Sequence, residues 1–159
     1  MEVKIAGSKR KLTEDELKRA EGVVGAPLPE EYRRFLLRHN GGYPEPGDFR
    51  IEWTDPRLAR AWRISTVADF HALDDGATLD LLRDFKTFQG RIPKGTLAVA
   101  LDPGGNVVLL GLAGEHRGRV FFWVNSLPAE YDETDFANLG RVADGFDAFI
   151  GSLFDSGAE

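Results

Sequence analysis

The sequence contains no cysteine, which excludes a disulfide scaffold, thiolate metal ligands and a cysteine nucleophile. It has only three histidines, His39, His71 and His116, and no two of them stand at a His-x-His or His-x-x-x-His spacing. Histidines without such spacing do not predict a zinc site, least of all when cysteine ligands are missing. We therefore expect neither a bound metal nor another cofactor.

Long apolar segments are missing as well. No apolar run approaches the roughly 20 residues that a membrane-spanning helix needs. The first residues, Met1 to Lys4, lack the apolar core of a secretory signal peptide. The sequence therefore predicts a cytoplasmic protein that does not bind a membrane.

Length and charge set further bounds. The chain has 159 residues, 42% of them hydrophobic, which predicts one domain over residues 1–159. The net charge is −6, with eight acidic and four basic residues in 41–80 and ten acidic and three basic residues in 101–159. This balance argues against a nucleic-acid partner, since phosphate binding needs clustered lysine and arginine. It fits either a basic protein partner or acidity that only keeps the protein in solution.

Four segments carry helix signals. Thr13 and Glu16 form a capping-box pattern that begins the first helix, and Pro29 suits the first turn of the second. The other two segments show apolar residues at helical spacing. The predicted helices cover about 14–24, Pro29 to the stop signal at Asn40-Gly41-Gly42, about 78–89 and about 136–154.

Strand signals occupy the middle of the chain. Alternating apolar and charged residues predict a half-buried strand over 49–53, which Asp55-Pro56 ends. β-forming residues predict that 62–73 continues the sheet. Two nearly all-apolar runs predict a hairpin over 97–110, buried on at least one face, and a further strand follows over 118–124. Helices before and after a run of antiparallel strands indicate an α+β fold.

The hairpin turn Asp102-Pro103-Gly104-Gly105-Asn106 has the glycines of a phosphate-binding loop. Such a loop runs into a helix N-terminus, where free N–H groups and the helix dipole bind the anion. Here the glycines run into the strand residues Val107 to Leu110, and no Lys-Ser or Lys-Thr pair follows. The pattern therefore predicts a turn in which Asp102 and Asn106 bond the local backbone.

Candidate catalytic groups carry weak signals. The acidic clusters Glu30-Glu31, Asp74-Asp75 and Glu130 to Asp135 fall at helix starts and in loops. Acid–base catalysis by paired carboxylates needs an apolar pocket that separates their pKa values, and these solvated positions do not predict one. No serine stands in a Gly-x-Ser-x-Gly pattern. We therefore predict that the protein is not an enzyme.

Three motifs follow one another over residues 28–123. In order, they are Leu28-Pro29-x-x-Tyr32-x-x-Phe35-Leu36 with Asn40-Gly41-Gly42, then Arg91-Ile92-Pro93-x-Gly95-x-Leu97-x-x-Ala100-x-Asp102-x-x-Gly105-Asn106, then Gly118-x-Val120-Phe121-Phe122-Trp123. This ordered set resembles the motifs of the Smi/Knr-type superfamily, also called SUKH. The chain departs from the common pattern at Val124-Asn125, where an aspartate, often followed by histidine, is usual.

The resemblance implies an α+β domain with a strongly bent antiparallel sheet, flanked by N-terminal, inserted and C-terminal helices. It also implies a protein-binding role. Many bacterial members are thought to be immunity proteins that neutralise polymorphic toxins, often nucleases, while fungal relatives regulate cell-wall assembly. The family has no agreed catalytic residues, so none is carried over to this chain.

The resulting functional prediction is an immunity protein whose acidic face occludes a basic surface of a cognate toxin. The alternative is a scaffold or regulatory adaptor without a toxin partner. Candidate contacts are chosen by charge, with one tryptophan that fits either a core position or a hot spot for an arginine- or lysine-rich partner. These candidates are Glu45, Asp48, Glu52, Trp53, Asp55, Asp74 and Asp75.

Overall fold

The computed structural model describes residues 2–74 and 76–158. In that part of the chain the α-helices are Glu14–Val24 (α1), Glu30–Arg38 (α2), Pro56–Ala61 (α3), Leu81–Thr87 (α4) and Phe146–Ser152 (α5). The strands are Lys4–Ala6 (β1), Tyr43–Glu45 (β2), Asp48–Arg50 (β3), Ile64–Thr66 (β4), Asp69–Phe70 (β5), Thr96–Leu101 (β6), Val107–Gly111 (β7), Val120–Trp123 (β8) and Gly140–Ala143 (β9). Strands β5 to β9 form one antiparallel sheet in chain order, and β1–β2 and β3–β4 form two antiparallel pairs.

The middle strands of the five-stranded sheet are buried on both faces, so the predicted hairpin is confirmed and is more deeply buried than its sequence required. One set of side chains faces the main core beneath helices α1, α2 and α5: Leu97, Val99, Val108, Leu110 and Phe122. The alternate set faces a smaller core: Ala98, Val107, Leu109, Phe121 and Trp123. Register shifts in β6 and between β8 and β9 mark bulges, which bend strands locally.

The turn between β6 and β7 has the predicted local bonding. The Oδ1 atom of Asp102 accepts hydrogen bonds from the N–H groups of Gly104 (2.9 Å) and Asn106 (2.7 Å). Its Oδ2 atom accepts from the Asn106 amide at 3.1 Å and from the Ser65 hydroxyl at 2.9 Å. Gly105 has a φ of 86°, in the left-handed region that favours glycine. Both carboxylate oxygens of Asp102 therefore accept hydrogen bonds within the turn.

Helices α1 and α2 form where their capping and stop signals predict them. The Thr13 hydroxyl accepts from the Glu16 N–H at 3.2 Å, and the Glu16 carboxylate accepts from the Thr13 N–H at 3.1 Å, which completes the capping box. Helix α1 ends at Gly25, whose φ is 86°. Helix α4 is confirmed but shorter than predicted, because Asp80 caps it at the N–H of Leu82.

The prediction of one closing helix over 136–154 is wrong. Residues Phe136–Asn138 form a single 3₁₀ turn, β9 pairs with β8, and only α5 is α-helical. Phe136 and Leu139 pack in the smaller core, whereas Phe146 and Phe149 pack in the main core. A continuous helix could not supply both, because the sheet separates the two cores.

The segment 62–73, predicted to continue the sheet, is divided between two separate sheets. It is two short strands, since β4 pairs with β3 while β5 joins the central sheet beside β6. The break predicted at Asp55-Pro56 is confirmed, but the sequence analysis missed the helix α3 that begins there, where the Asp55 carboxylate accepts from the Arg57 N–H. It also missed β1 and β2, which are too short to carry a periodic signal.

Helix α4 is anchored to the end of β5 by a buried hydrogen bond between His71 and Asp84. His71 is fully buried, and its Nε2 atom lies 2.8 Å from the Asp84 Oδ2 atom. An ionised carboxylate can only accept, so Nε2 carries the proton. Burial alone would raise the pKa of Asp84, but the hydrogen bond from His71 and the neighbouring Arg83 outweigh burial and hold that pKa below its usual value.

Adding a methyl group to Gly140 is expected to destabilise the fold. A Cβ at this position would collide with the Ile51 side chain and come within 3.0 Å of the Trp53 ring. Gly140→Ala should lower the free energy of unfolding by about 1–3 kcal/mol, as overpacking of a core does. Gly151→Ala is the matched control, because nothing lies within 4 Å of its Cβ and alanine favours the helix α5. Equal unfolding curves in urea for both variants would contradict this packing.

Replacing Asp84 tests the His71–Asp84 hydrogen bond through pH. A depressed pKa means that Asp84 stabilises the folded state above its unfolded pKa, near 3.8, and that this stabilisation is lost as the pH falls through the lower folded pKa. Asp84→Asn keeps an acceptor for His71 but removes the charge, so it should cost about 1 kcal/mol at pH 7. Urea unfolding at pH 7 and pH 3 should show this cost shrinking at the lower pH. The same cost at both values would contradict the assignment.

Candidate protein-interaction surface

The structure places the predicted contact residues in several environments. Glu45 is exposed on β2, opposite Lys4 in the β1–β2 register. Asp48 is half-buried, and its carboxylate accepts hydrogen bonds from the Thr66 hydroxyl and from the N–H (3.0 Å) and hydroxyl (2.6 Å) of Ser156. These bonds outweigh burial and hold the pKa of Asp48 below its usual value. Asp48 therefore fastens the C-terminal segment to β3, while Glu45 is accessible. Asp75 lies outside the described residues.

Trp53 lies in the main core, with 9% of its surface exposed. Its indole Nε1–H donates to the carbonyl oxygen of Trp62 at 2.7 Å, and its ring meets the Phe122 ring edge-on at 6.4 Å. The sequence is compatible with either a core position or a partner contact for this tryptophan. The structure favours the core position, because its polar atom and most of its surface are used within the fold.

Glu52 and Asp74 line different grooves. Glu52 is exposed beside Arg50 and Arg141, and its backbone exchanges two hydrogen bonds with Arg141. The Asp74 carboxylate lies 3.8 Å from the Arg10 Nε atom, in a groove that Arg19 also lines. Both carboxylates therefore have arginines as neighbours, and they do not share one acidic face.

Asp55 belongs to the main acidic cluster on the described surface. Arg57 donates hydrogen bonds to the Asp55 carboxylate from its guanidinium and from its backbone N–H. These bonds hold the pKa of Asp55 below its usual value. The Tyr131 hydroxyl donates to Asp55 at 3.2 Å, which brings the loop between β8 and β9 alongside. We call residues 130–135 the acidic loop. Its carboxylates are Glu130, Asp132, Glu133 and Asp135.

Arg57 is the cation at the centre of this cluster. Its guanidinium lies 3.0 Å from Asp55 and 3.7 Å from Glu130, and it stacks over the Tyr131 ring at 5.3 Å from the centroid. Two carboxylates thus contact one arginine, and three more follow Glu130 within five residues of the chain. Asp132 and Asp135 are also held in place, because each accepts from a backbone N–H two residues later. The cluster is a fixed, strongly negative surface.

From the sequence alone, the acidic loop is only a weak catalytic candidate and is not among the predicted partner contacts. The available signal was the excess of acidic residues over 101–159, which is larger than that over 41–80. Only the tertiary structure shows that Asp55, from the earlier segment, joins the later one.

Catalytic and metal chemistry find little support in the described residues. Among them, no group of three histidine, aspartate or glutamate side chains is arranged to hold a metal ion. The pair His71–Asp84 is closed off from any substrate, because His71 is fully buried. No helix in the described ranges is long and apolar enough to cross a membrane. The surface features that remain are charged and open, which suits contact with another macromolecule.

Comparison with known proteins agrees with this architecture. The sequence profile of the SMI1/KNR4 family (SUKH-1) matches residues 11–152, well over half of the chain, and the three sequence motifs fall within that range. The chain is also similar to the SPbeta prophage-derived uncharacterized protein YokK of Bacillus subtilis (strain 168), with 26% identity over 157 residues that cover 92% of this chain and 77% of that protein. The chain therefore belongs to the SMI1/KNR4 family (SUKH-1).

Proposed function

We propose that this protein is a non-catalytic immunity protein that neutralises a cognate bacterial toxin by binding a basic surface of that toxin. The observation that carries the proposal is the acidic loop, which Arg57 and Tyr131 join to Asp55: Arg57 contacts the Asp55 and Glu130 carboxylates, and the Tyr131 hydroxyl donates to Asp55. Membership of the SUKH family supports a protein-binding role. The proposed place of action is the cytoplasm, where a toxin would have to be intercepted.

The physical argument rests on preorganisation and charge. Tyr131 is a buried member of the acidic loop, and its hydroxyl bond to Asp55 ties two distant segments together. The carboxylates therefore approach a partner without the ordering cost that a flexible loop would incur. A fixed negative patch attracts a positive one during diffusion, which raises the association rate most strongly at low salt. A nuclease toxin fits this proposal, because its nucleic-acid site carries positive charge.

The predicted contacts with accessible carboxylates keep a place in the proposal. Asp55 is part of the cluster itself, and the exposed Glu45 and Glu52 and the half-buried Asp74 are accessible enough to extend it. Asp48 and Trp53 would act through the fold, since their polar atoms bond within the chain.

Co-expression tests the toxin role. We expect that a multidomain protein encoded beside this chain carries a C-terminal domain that kills the host when expressed alone. Growth should be restored when this chain is expressed with that domain. A harmless neighbouring protein, together with a stable housekeeping partner recovered in pull-downs, would favour the adaptor instead.

Neutralising the acidic loop tests the surface. The triple variant Glu130→Gln, Asp132→Asn and Glu133→Gln keeps the local hydrogen-bond acceptors and removes three charges. Its association rate with the toxic domain should fall about tenfold at low salt, with a smaller loss at high salt, as measured by stopped-flow fluorescence.

The matched control removes three exposed charges elsewhere, with Glu2→Gln, Asp15→Asn and Glu115→Gln. It should change the association rate by less than about twofold, because screening weakens distant charges. A second arm, Glu45→Gln with Asp74→Asn, asks whether these residues extend the surface. Equal association rates for the loop triple and the control triple would refute the acidic loop as the contact.

A further inference from the structure

A groove of about 510 Å³ is lined by arginines. It lies between β9, the turn before β8 and the 3₁₀ turn Phe136–Asn138. A second groove of about 520 Å³ shares Arg50, Glu52 and Arg141 with the first, so the two are continuous. We call the pair the arginine groove. Its cations are Arg50, Arg63, Arg119 and Arg141.

Long-range pairing brings these arginines together. Arg50 belongs to β3, and Arg63 directly precedes β4, the antiparallel partner of β3. The backbone bridge between Glu52 and Arg141 joins this pair to β9. Arg119 directly precedes β8, which pairs with β9. Four chain segments thus contribute one cation each, in a protein whose net charge is −6.

Three of these guanidinium groups lack a carboxylate partner. Arg63, Arg119 and Arg141 form no ion pair with any residue in 2–74 or 76–158. Within the described ranges, the Arg141 side chain donates one hydrogen bond, to the Thr54 hydroxyl at 3.3 Å. Arg33, Arg34, Arg57 and Arg83 show the contrast, since each is paired with an acidic side chain. The guanidinium donors of Arg63, Arg119 and Arg141 are therefore available to an external acceptor.

The wall of the groove is aromatic. The His116 ring stacks on the Phe136 ring at 3.9 Å between centroids, with 12° between the planes. The Phe121 ring meets Phe136 edge-on at 5.3 Å. Phe136 is half-buried, so part of this apolar surface faces the groove. A ligand that fits must combine anionic groups with an apolar side chain.

We propose that the arginine groove binds an acidic polypeptide segment, with carboxylates on Arg119 and Arg141 and an apolar side chain against Phe136. The planar guanidinium matches a carboxylate through two parallel hydrogen bonds. Glu52 and Asp144 also line the groove, and they would repel the continuous phosphates of a nucleic acid while leaving room for separate carboxylates. This inference goes beyond the proposed function, because it requires no toxin.

The test uses a capped pentapeptide, Gly-Glu-Phe-Glu-Gly, titrated into the isotope-labelled protein and followed by NMR. We expect saturable shifts of the backbone signals of Arg119, Phe121 and Ala143. The double variant Arg119→Gln with Arg141→Gln should weaken binding about tenfold or more, because each charge-assisted bond is lost. Arg38→Gln is the matched control, since Arg38 is exposed beside a different groove, and it should bind within about twofold of the unchanged protein.

Two further probes separate the alternatives. The same peptide with glutamine in place of glutamate should not bind, since the groove recognises the charge. Hexathymidylate should bind more weakly than the acidic peptide. No saturable shift with the acidic peptide, an unchanged affinity in the double variant, or tighter binding of hexathymidylate to the same residues would each overturn the proposal. None of these results depends on a toxin, so they are distinguishable from a failure of the immunity function.

Discussion

The fold depends on the burial of β6, β7 and β8 on both faces. An antiparallel sheet usually leaves one face to water, and a sheet buried twice needs two separate covers. The main cover is built from α1, α2 and α5, and the aromatic side chains of α2 and α5 pack in the larger core. The second cover is irregular, and is made from the end of α4 and the segment between β8 and β9. The polar turn at Asp102 is what lets so apolar a hairpin close without unsatisfied backbone groups.

The second cover also produces the charged surfaces. Phe136 and Leu139 hold the segment before β9 against the sheet, so the acidic loop that precedes them has a fixed position. The acidic loop directly precedes Phe136 in the chain, and Phe136 also lines the arginine groove. Adjacent surfaces of opposite sign fix the orientation of a partner more strictly than one uniform patch, because a rotated partner would place like charges together. A single partner with a basic face and an acidic protrusion would satisfy both proposals.

Several acidic residues that a charge count selects have structural roles. Asp48 fastens the C-terminal segment, Asp55 caps α3, and Asp84 anchors α4 through His71. A count of charges cannot separate these from carboxylates that face water, since the same residue type serves as a helix cap, a buried partner and a surface charge. The net acidity of the chain therefore overstates the charge that is available to a partner at any one place.

The sequence by itself determined the features that arise from hydrogen bonds between neighbours. The capping box at Thr13, the stop at Gly25, the turn at Asp102 and the β6–β7 hairpin all follow from residues within a few positions of one another. The ordered motifs also identified the family and with it the α+β class. Only the tertiary structure decided the division of 136–154 into a turn, a strand and a helix, because each piece packs in a different core. Only the tertiary structure places Arg57 against the acidic loop, and only it brings the arginines of the groove together. In both cases the side chains meet through strand pairing and packing between segments far apart in the chain.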